Sequence, residues 1–385
     1  MRITNNMMAN SFMTDMNNNL ENLDRIRQQL TSGKNFSKPS HDPAGVIRSM
    51  QLYSGIDANK QYNKNISNVI NWLDVTDTAL DQVGKQLGKI RDKLEEAGNP
   101  GFGPTERKAL KDEVNGIIAS MSQTLNTTFD GKYIFSGTRV TSKPTGIEKN
   151  GKNNELVYLK NDQSVLLLDD TLKAIGAAEK LSGKSINDIK DSELLDLKSL
   201  VSKNPSTLTP EEKDKVDKLS SEEIDALKNL SDEDLKHLGE YNQMNAKLKA
   251  EVSEGVVMEY NVTATEILQG GGDLRQFLEN IVNHLDNDDP KEISKLYGED
   301  LGNIDKALDN VLRIRSEVGA KQNRMDAAKE MNKETNFNMT EILSNIEDVN
   351  LVEKNMEYAI LQSVYISSLQ TSAKVLQPTL MDYLR

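Results

Sequence analysis

The chain has 385 residues, of which 36% are hydrophobic and only 5% aromatic; that is too long for one compact core and fits two or three helix-rich, thin-cored domains better than a single globular enzyme. A formal net charge of −13 removes the electrostatic basis for nucleic-acid binding, which needs clustered Lys and Arg. There is no cysteine, hence no disulfide, thiolate nucleophile or Cys-ligated metal, and no apolar run approaches the roughly 20 residues that span a bilayer, so membrane insertion is not expected.

Residues 1–30 read as an amphipathic helix. Met13, Met16, Leu20, Leu23, Ile26 and Leu30 fall on one stripe, and Asn17, Asn18, Asn19 and Asn22 enrich the polar side. Met1–Phe12 carries one Arg and no apolar stretch of signal-peptide length, so secretion would use a route without a cleavable signal. Thr31-Ser32-Gly33 is a stop signal, and Pro39–Gly45 is a turn-rich linker into the next helix.

From Ile66 the apolar spacing is strict: Ile66, Leu73, Thr76, Leu80, Val83, Leu87, Ile90 and Leu94 alternate steps of three and four. Asn99–Pro104 breaks this helix. Thr105 is expected to cap a return helix with Leu110, Val114, Ile117, Met121 and Leu125, giving an antiparallel hairpin. Asp130-Gly131 then marks a β-turn between Phe129 and Tyr133-Ile134-Phe135.

Residues 155–168 read as strand, turn, strand, with Asn161-Asp162 between Leu156–Leu159 and Val165–Leu168; a second strand-rich stretch lies near Val256–Val262. Between them, Thr209/Glu212, Ser220/Glu223 and Ser231/Asp234 form capping boxes repeating every eleven residues, which predicts short charged helices over about 170–250. Gly270-Gly271-Gly272 reads as a flexible hinge. Asp273 caps a helix with Leu274, Phe277, Leu278, Ile281 and Leu285, which ends at Asp286–Pro290. A long helix from about Glu292, with Leu301, Ile304, Leu308, Val311 and Val318, leads toward the last stripe.

That stripe is Ile346, Val349, Val352, Met356, Ile360 and Val364, continued by Leu369, Ala373, Leu376 and Leu380. From Tyr358 to Ala373 the chain carries no charge; Ser, Thr and Gln replace the Lys and Glu of an ordinary exposed helix. Such a helix needs cover on more than one side, which a single partner helix does not give. The expectation is burial in a multi-subunit wall, with the stripe residues named at both ends as the subunit interface.

Chemistry is sparse. His41, His237 and His284 have no ligand-spaced companions, the triple glycine lacks a following Lys-Ser/Thr, and no carboxylate pair stands out as acid and base. No catalytic residue, metal or cofactor is expected. Asn65, Asn126, Asn261 and Asn338 begin Asn-x-Ser/Thr triplets that an Asn-rich chain contains by chance.

Several segments carry a family resemblance. Ser32-Gly33-Lys34 followed by Asp42-Pro43-Ala44-Gly45, with His41 where Asp is usual, resembles the turn after the first helix in the flagellin-related axial proteins of the bacterial flagellum. Val318–Arg324 and Ser344–Asn350, the latter with Asn350 for Asp, resemble two of that family's C-terminal segments. Gly131–Thr138 and the ending Leu380–Arg385 are similar to the branch that joins hook to filament.

The resemblance covers roughly 1–150 and 255–385. It implies a mainly α fold in which long helices from both chain ends pack together, with a small β-hairpin region and an inserted α-rich subdomain. The implied domains are 1–45 with 341–385 (terminal helices, disordered in the monomer, an inner tube), 46–145 with 255–340 (a helical bundle with a hairpin), and 146–254 (an outer insert). It further implies a structural adaptor, exported by the flagellar type III route and held by a chaperone at its C-terminal region. The adaptor would assemble as a ring of copies outside the cell, with a hook-associated protein on one side and flagellin on the other. The alternatives are flagellin itself, or an enzyme carried in the insert around His237.

Overall fold

The computed structural model describes residues 5–375 apart from 98–102, 167–168, 184–190, 204–208, 210–211, 214–215, 230–231 and 288. The chain is mainly α and divides into two compact units, Met1–Lys64 with Glu330–Arg385, and Asn65–Lys329. The division falls inside two long helices, α2 (Pro43–Ala97) and α11 (Leu301–Glu347).

The second unit holds the core. Ile66, Leu73, Thr76, Leu80, Val83, Leu87, Ile90 and Leu94 on α2 are completely buried, as their strict spacing predicts. Helix α3 (Pro104–Leu125) runs antiparallel to α2: Gln86 donates to Ser120 at 2.9 Å and Lys93 meets Glu113 at 3.3 Å. Its start differs from expectation. Pro104 opens the helix and the carboxylate of Glu106 accepts the Gly103 N–H at 3.0 Å, because proline's fixed φ and missing N–H suit the first helical position better than Thr105 suits the cap. Ile118 rather than Ile117 is fully buried. Helix α11 is also antiparallel to α2, and Arg315 joins Asp77 and Asp81 at 3.0 and 2.8 Å while Arg91 joins Asp305 at 2.8 Å.

Among the described residues, three antiparallel hairpins decorate this unit. β1 (Thr128–Phe129) and β2 (Lys132–Tyr133) meet at Asp130-Gly131, both at positive φ, 51° and 72°, the conformation that Asp-Gly adopts in a tight hairpin. β3 (Thr145–Asn150) pairs with β4 (Asn153–Tyr158), Thr145 opposite Tyr158. The expected partner of Leu156–Leu159 is 165–168; among the described residues this pairing is limited to a bridge between Leu159 and Val165, with the Leu166 N–H on the Tyr158 carbonyl at 2.8 Å. The edge of β4 is taken by 145–150, whose Gly, Glu, Lys and Asn give little strand signal. Leu167 and Leu168 lie outside the described residues. β5 (Lys249–Ser253) and β6 (Val256–Glu259) turn at Gly255, φ +71°.

The charged region between β4 and β5 is helical: α4 (Asp169–Ser182), α5 (Asp191–Ser202), α6 (Ser221–Asn229) and α7 (Asp232–Asn245). Two predicted capping boxes form reciprocally. Thr209 and Glu212 exchange bonds of 2.8 and 3.4 Å, and Ser220 and Glu223 bonds of 2.9 and 3.2 Å; the third begins at Ser231, outside the described residues. Helix α7 is anchored by Arg139, buried, which pairs with Glu240 at 3.2 Å and donates to the Leu159 carbonyl at 2.9 Å.

The triple glycine is a packing contact, not a hinge. It follows the short α8 (Ala264–Gln269) and precedes α9 (Leu274–Asp286). A Cβ on Gly270 would lie 2.5 Å from Asn310 Oδ1, and one on Gly271 2.6 Å from the Lys306 carbonyl, so the absence of side chains lets this segment lie directly on α11. Asp273 caps α9 as expected, accepting from the Arg275 N–H at 3.1 Å. The following helix is interrupted: α10 (Pro290–Lys295) passes through a π turn at Leu296–Asp300 before α11 begins. That extra residue turns both Leu296 and Asp300 inward, and Asp300 meets His284 Nδ1 at 2.6 Å. Helix α12 (Leu351–Val375) closes the described chain.

Candidate assembly surface

The first unit is built from α1 (Asn5–Ser32), the front of α2, the rear of α11, and α12. Helix α1 stops where the sequence says. Gly33 adopts φ +70° and its N–H returns to the Gln29 carbonyl at 2.8 Å, the left-handed C-cap that glycine allows. Helix α2 starts with Asp42 accepting the Gly45 N–H at 3.0 Å; a Cβ on Gly45 would collide with that carboxylate. Asn350 caps α12 through the Val352 and Glu353 N–H groups at 3.2 and 3.4 Å, so Asn performs there what Asp would.

The turn after α1 and the turn before α12 are stitched together. Lys34 reaches Glu347 at 3.0 Å and Asp348 at 2.8 Å. The Asn35 N–H donates to the Glu347 carbonyl at 2.6 Å, its side chain to the Ile346 and Asp348 carbonyls, and the Val349 N–H to the Gly33 carbonyl at 3.0 Å. The Tyr53 hydroxyl donates to Glu347 at 2.9 Å. Bonds to Asp348 and Glu347 hold the Lys34 ammonium well above its ordinary pKa. Burial pushes Glu347 up, but the bonds from Lys34 and Tyr53 outweigh it and hold its carboxyl below the usual range. Asp348 is lowered by Lys34 and Ser344. The two segments singled out by family resemblance, 32–34 and 344–350, thus meet in one lock.

Outside that lock the unit has almost no core. Among its described residues the buried side chains are Ile26, Ile56 and Leu343, plus the polar Ser49, Asn59, Asn332 and Glu347. Helices α1 and α12 contact each other, yet a groove of about 600 Å³ remains beside them, lined by Met8, Phe12, Val364 and five serines of both helices among others.

The sixteen-residue uncharged stretch leaves α12 apolar around most of its circumference. On α1, Ile26 is buried and Met16, Leu23 and Leu30 are half-covered, while Met13 (58%) and Leu20 (43%) are exposed. Ile346 and Val349 are half-covered. Val352, Met356, Ile360, Val364 and Leu369 are exposed, Val352 at 71% and Ile360 at 62%, and so is Ala373. Leu376 and Leu380 lie outside the described residues. The covered positions of α12 are instead Tyr358, Leu361, Tyr365, Ser368 and Ser372. Further exposed apolar side chains, which the sequence reading did not single out, are Ile47 and Met50 on α2 and Met331, Phe337 and Ile342 on α11. Their spacing of three to six residues along otherwise polar helices was the available signal.

No helix among the described residues is long and apolar enough to cross a membrane, and no group of three or more His, Asp or Glu side chains there could hold a metal ion.

The bacterial flagellin N-terminal helical region matches residues 3–140 and the bacterial flagellin C-terminal helical region matches residues 301–384, together more than half of the chain. A flagellin of Clostridium tyrobutyricum is 28% identical over 141 residues, 36% of this chain and 37% of that protein. Flagellar hook-associated protein 3 of Salmonella typhimurium is 26% identical over 145 residues, 37% of this chain and 46% of its own length. The matched stretch therefore spans less than half the length of these curated relatives. A solved structure from Vibrio parahaemolyticus, assigned as a flagellar hook-associated protein, shares the fold, with a TM-score of 0.51 at 18% identity over 80% of this chain and 100% of that one. With its two end regions matched and its helices arranged as described, the chain belongs to the bacterial flagellin family.

Proposed function

We propose that this chain is a structural subunit of the flagellar axis that joins the hook to the flagellin filament. The observation that carries the reading is the first unit: two terminal helices locked at their turns, nearly without a core, and exposing Met13, Leu20, Val352, Met356, Ile360 and Val364. Isolated helices that do not bury such faces are marginal in water, and exposed apolar area of this extent marks an interaction surface. Neighbouring copies supply the cover, in a head-to-tail arrangement that closes as a ring.

In this reading the terminal segments line an inner tube, the helical bundle forms an outer one, and the insert faces outward. The terminal segments order on assembly, and before it a chaperone holds the C-terminal region while the chain awaits type III export. A hook-associated protein covers one side and flagellin the other. Relatives named as flagellar hook-associated protein 3 and the Gly131–Thr138 hairpin support the junction role over bulk filament. The role is structural, with no catalytic residue.

Deleting the gene and imaging the cells tests it. Intact hooks without filaments, with flagellin lost to the medium, is the expected result. Hooks without filaments and no flagellin outside would make this chain the filament subunit, and normal filaments would refute both readings.

A further inference from the structure

We propose that the cleft between Lys247, Arg313 and Lys321 in the second unit is an oxyanion site, sized for a phosphate or carboxylate group. The cleft has a volume of about 200 Å³. Five charged side chains line it, Lys247, Glu266, Arg313, Glu317 and Lys321, above the buried apolar side chains of Val262, Ile314 and Val318.

Three cations face two carboxylates, and both carboxylates are committed. Glu266 accepts from Lys247 at 2.5 Å and from the Thr263 N–H at 3.0 Å. Glu317 accepts from Arg313 at 2.5 Å, and Arg313 also donates to Asn310 at 2.8 Å. Lys321 is half-buried and makes no hydrogen bond or ion pair with any described residue.

Burial lowers the Lys321 pKa, and the charge of Lys247 lowers it further, against the opposing pull of Glu266, Glu317 and Glu259. An ammonium over an apolar floor without a partner is a costly arrangement, and a bound oxyanion removes that cost through charge-assisted bonds from groups already in place. The positive excess also stands out on a chain of net charge −13. The site does not depend on the assembly reading.

Because Arg313 and Glu317 are themselves more than half exposed, water screens the attraction and affinity should be weak, about millimolar. The test is competitive acetylation of the full chain, with each lysine followed by mass spectrometry. Inorganic phosphate, acetate and chloride are compared at matched ionic strength. The expected result is that phosphate slows modification of Lys321 by about threefold or more relative to chloride, while exposed Lys85 is unaffected, and that Arg313→Gln reduces this protection.

Protection by acetate as well would support a site that also takes a carboxylate, such as a side chain of a partner protein. Protection by phosphate alone would support a free tetrahedral anion. Equal Lys321 reactivity in all three salts, or unchanged protection in Arg313→Gln, would overturn the proposal.

Discussion

Ile360→Asp tests whether the exposed face of α12 is the assembly face proposed above. Ile360 is 62% exposed, so the folded subunit should lose under about 1 kcal/mol, the usual scale for a surface change plus the poorer helix propensity of Asp. In the proposed assembly the same position would be buried. Full burial of an Ile side chain contributes about 1.5–3 kcal/mol, and with three-fifths of it still to be gained, about 1–2 kcal/mol per subunit disappears. The carboxylate adds several kcal/mol more when it enters an apolar contact unpaired. Ile26→Asp is the contrast: at 4% exposure, it should unfold part of the subunit before assembly is reached. The assays are thermal melting of the purified monomer and complementation of filament growth in cells lacking the gene. Ile360→Asp should melt like the natural chain and fail to complement, while Ile360→Ala, which introduces no charge, should complement partially. Normal filament growth with Ile360→Asp would refute the burial argument, and a large loss of monomer stability would show that α12 already buries this face by itself.

Gly271→Ala should cost about 1–3 kcal/mol, since its Cβ would stand 2.6 Å from the Lys306 carbonyl; a fall of a few degrees in Tm checks it. Arg139→Met removes a side chain 2% exposed that pairs with Glu240 and should cost about 3 kcal/mol, with part of the loss recovered by also neutralising Glu240. Lys34→Gln should weaken the lock between the two turns by about 1 kcal/mol, seen as faster amide exchange at Asn35 and Val349. The lowered carboxyls of Glu347 and Asp348 contribute above about pH 4–5 and lose their contribution as pH falls through the folded values. The raised Lys34 contributes below about pH 10 and loses its contribution as pH rises through its folded value. Amide protection at Asn35 and Val349, taken relative to the intrinsic exchange rate at each pH, should therefore fall at both pH extremes in the natural chain, and Lys34→Gln should flatten that response.

Where local chemistry decides structure, the sequence was readable. The seam from Ile66 to Leu94 is apolar on one side only, so just one face could turn inward. Gly33, Asp130-Gly131 and the capping boxes each have a single favoured geometry. Reading failed where two segments compete or where small residues carry the contact. Residues 145–150 won the edge of β4 with a composition that hides a strand. The glycines at 270–272 looked free because their role, close approach to Asn310 and Lys306, belongs to a partner 35 to 40 residues away. On α12 apolar residues surround the helix, and the covered positions include Ser368 and Ser372, so periodicity alone did not say which face the subunit itself would cover.

The two units solve different physical problems with the same helical material. In the second, fully buried residues on α2, α3, α9 and α11 form one continuous core, and burial on that scale can offset the conformational entropy of ordering the chain. The first contributes no residue to that core. The three buried apolar side chains among its described residues cannot hold four helical segments, and its best-defined feature is a polar lock of Lys34, Asn35, Glu347 and Asp348. A polar lock sets register, because its hydrogen bonds are directional, but each such bond adds only about 1 kcal/mol net. The lock thus fixes which faces of α1 and α12 point outward, while the energy for keeping them ordered has to come from surfaces those faces meet. On the proposed reading, such a subunit would draw its stability from its second unit and need neighbours to complete its first.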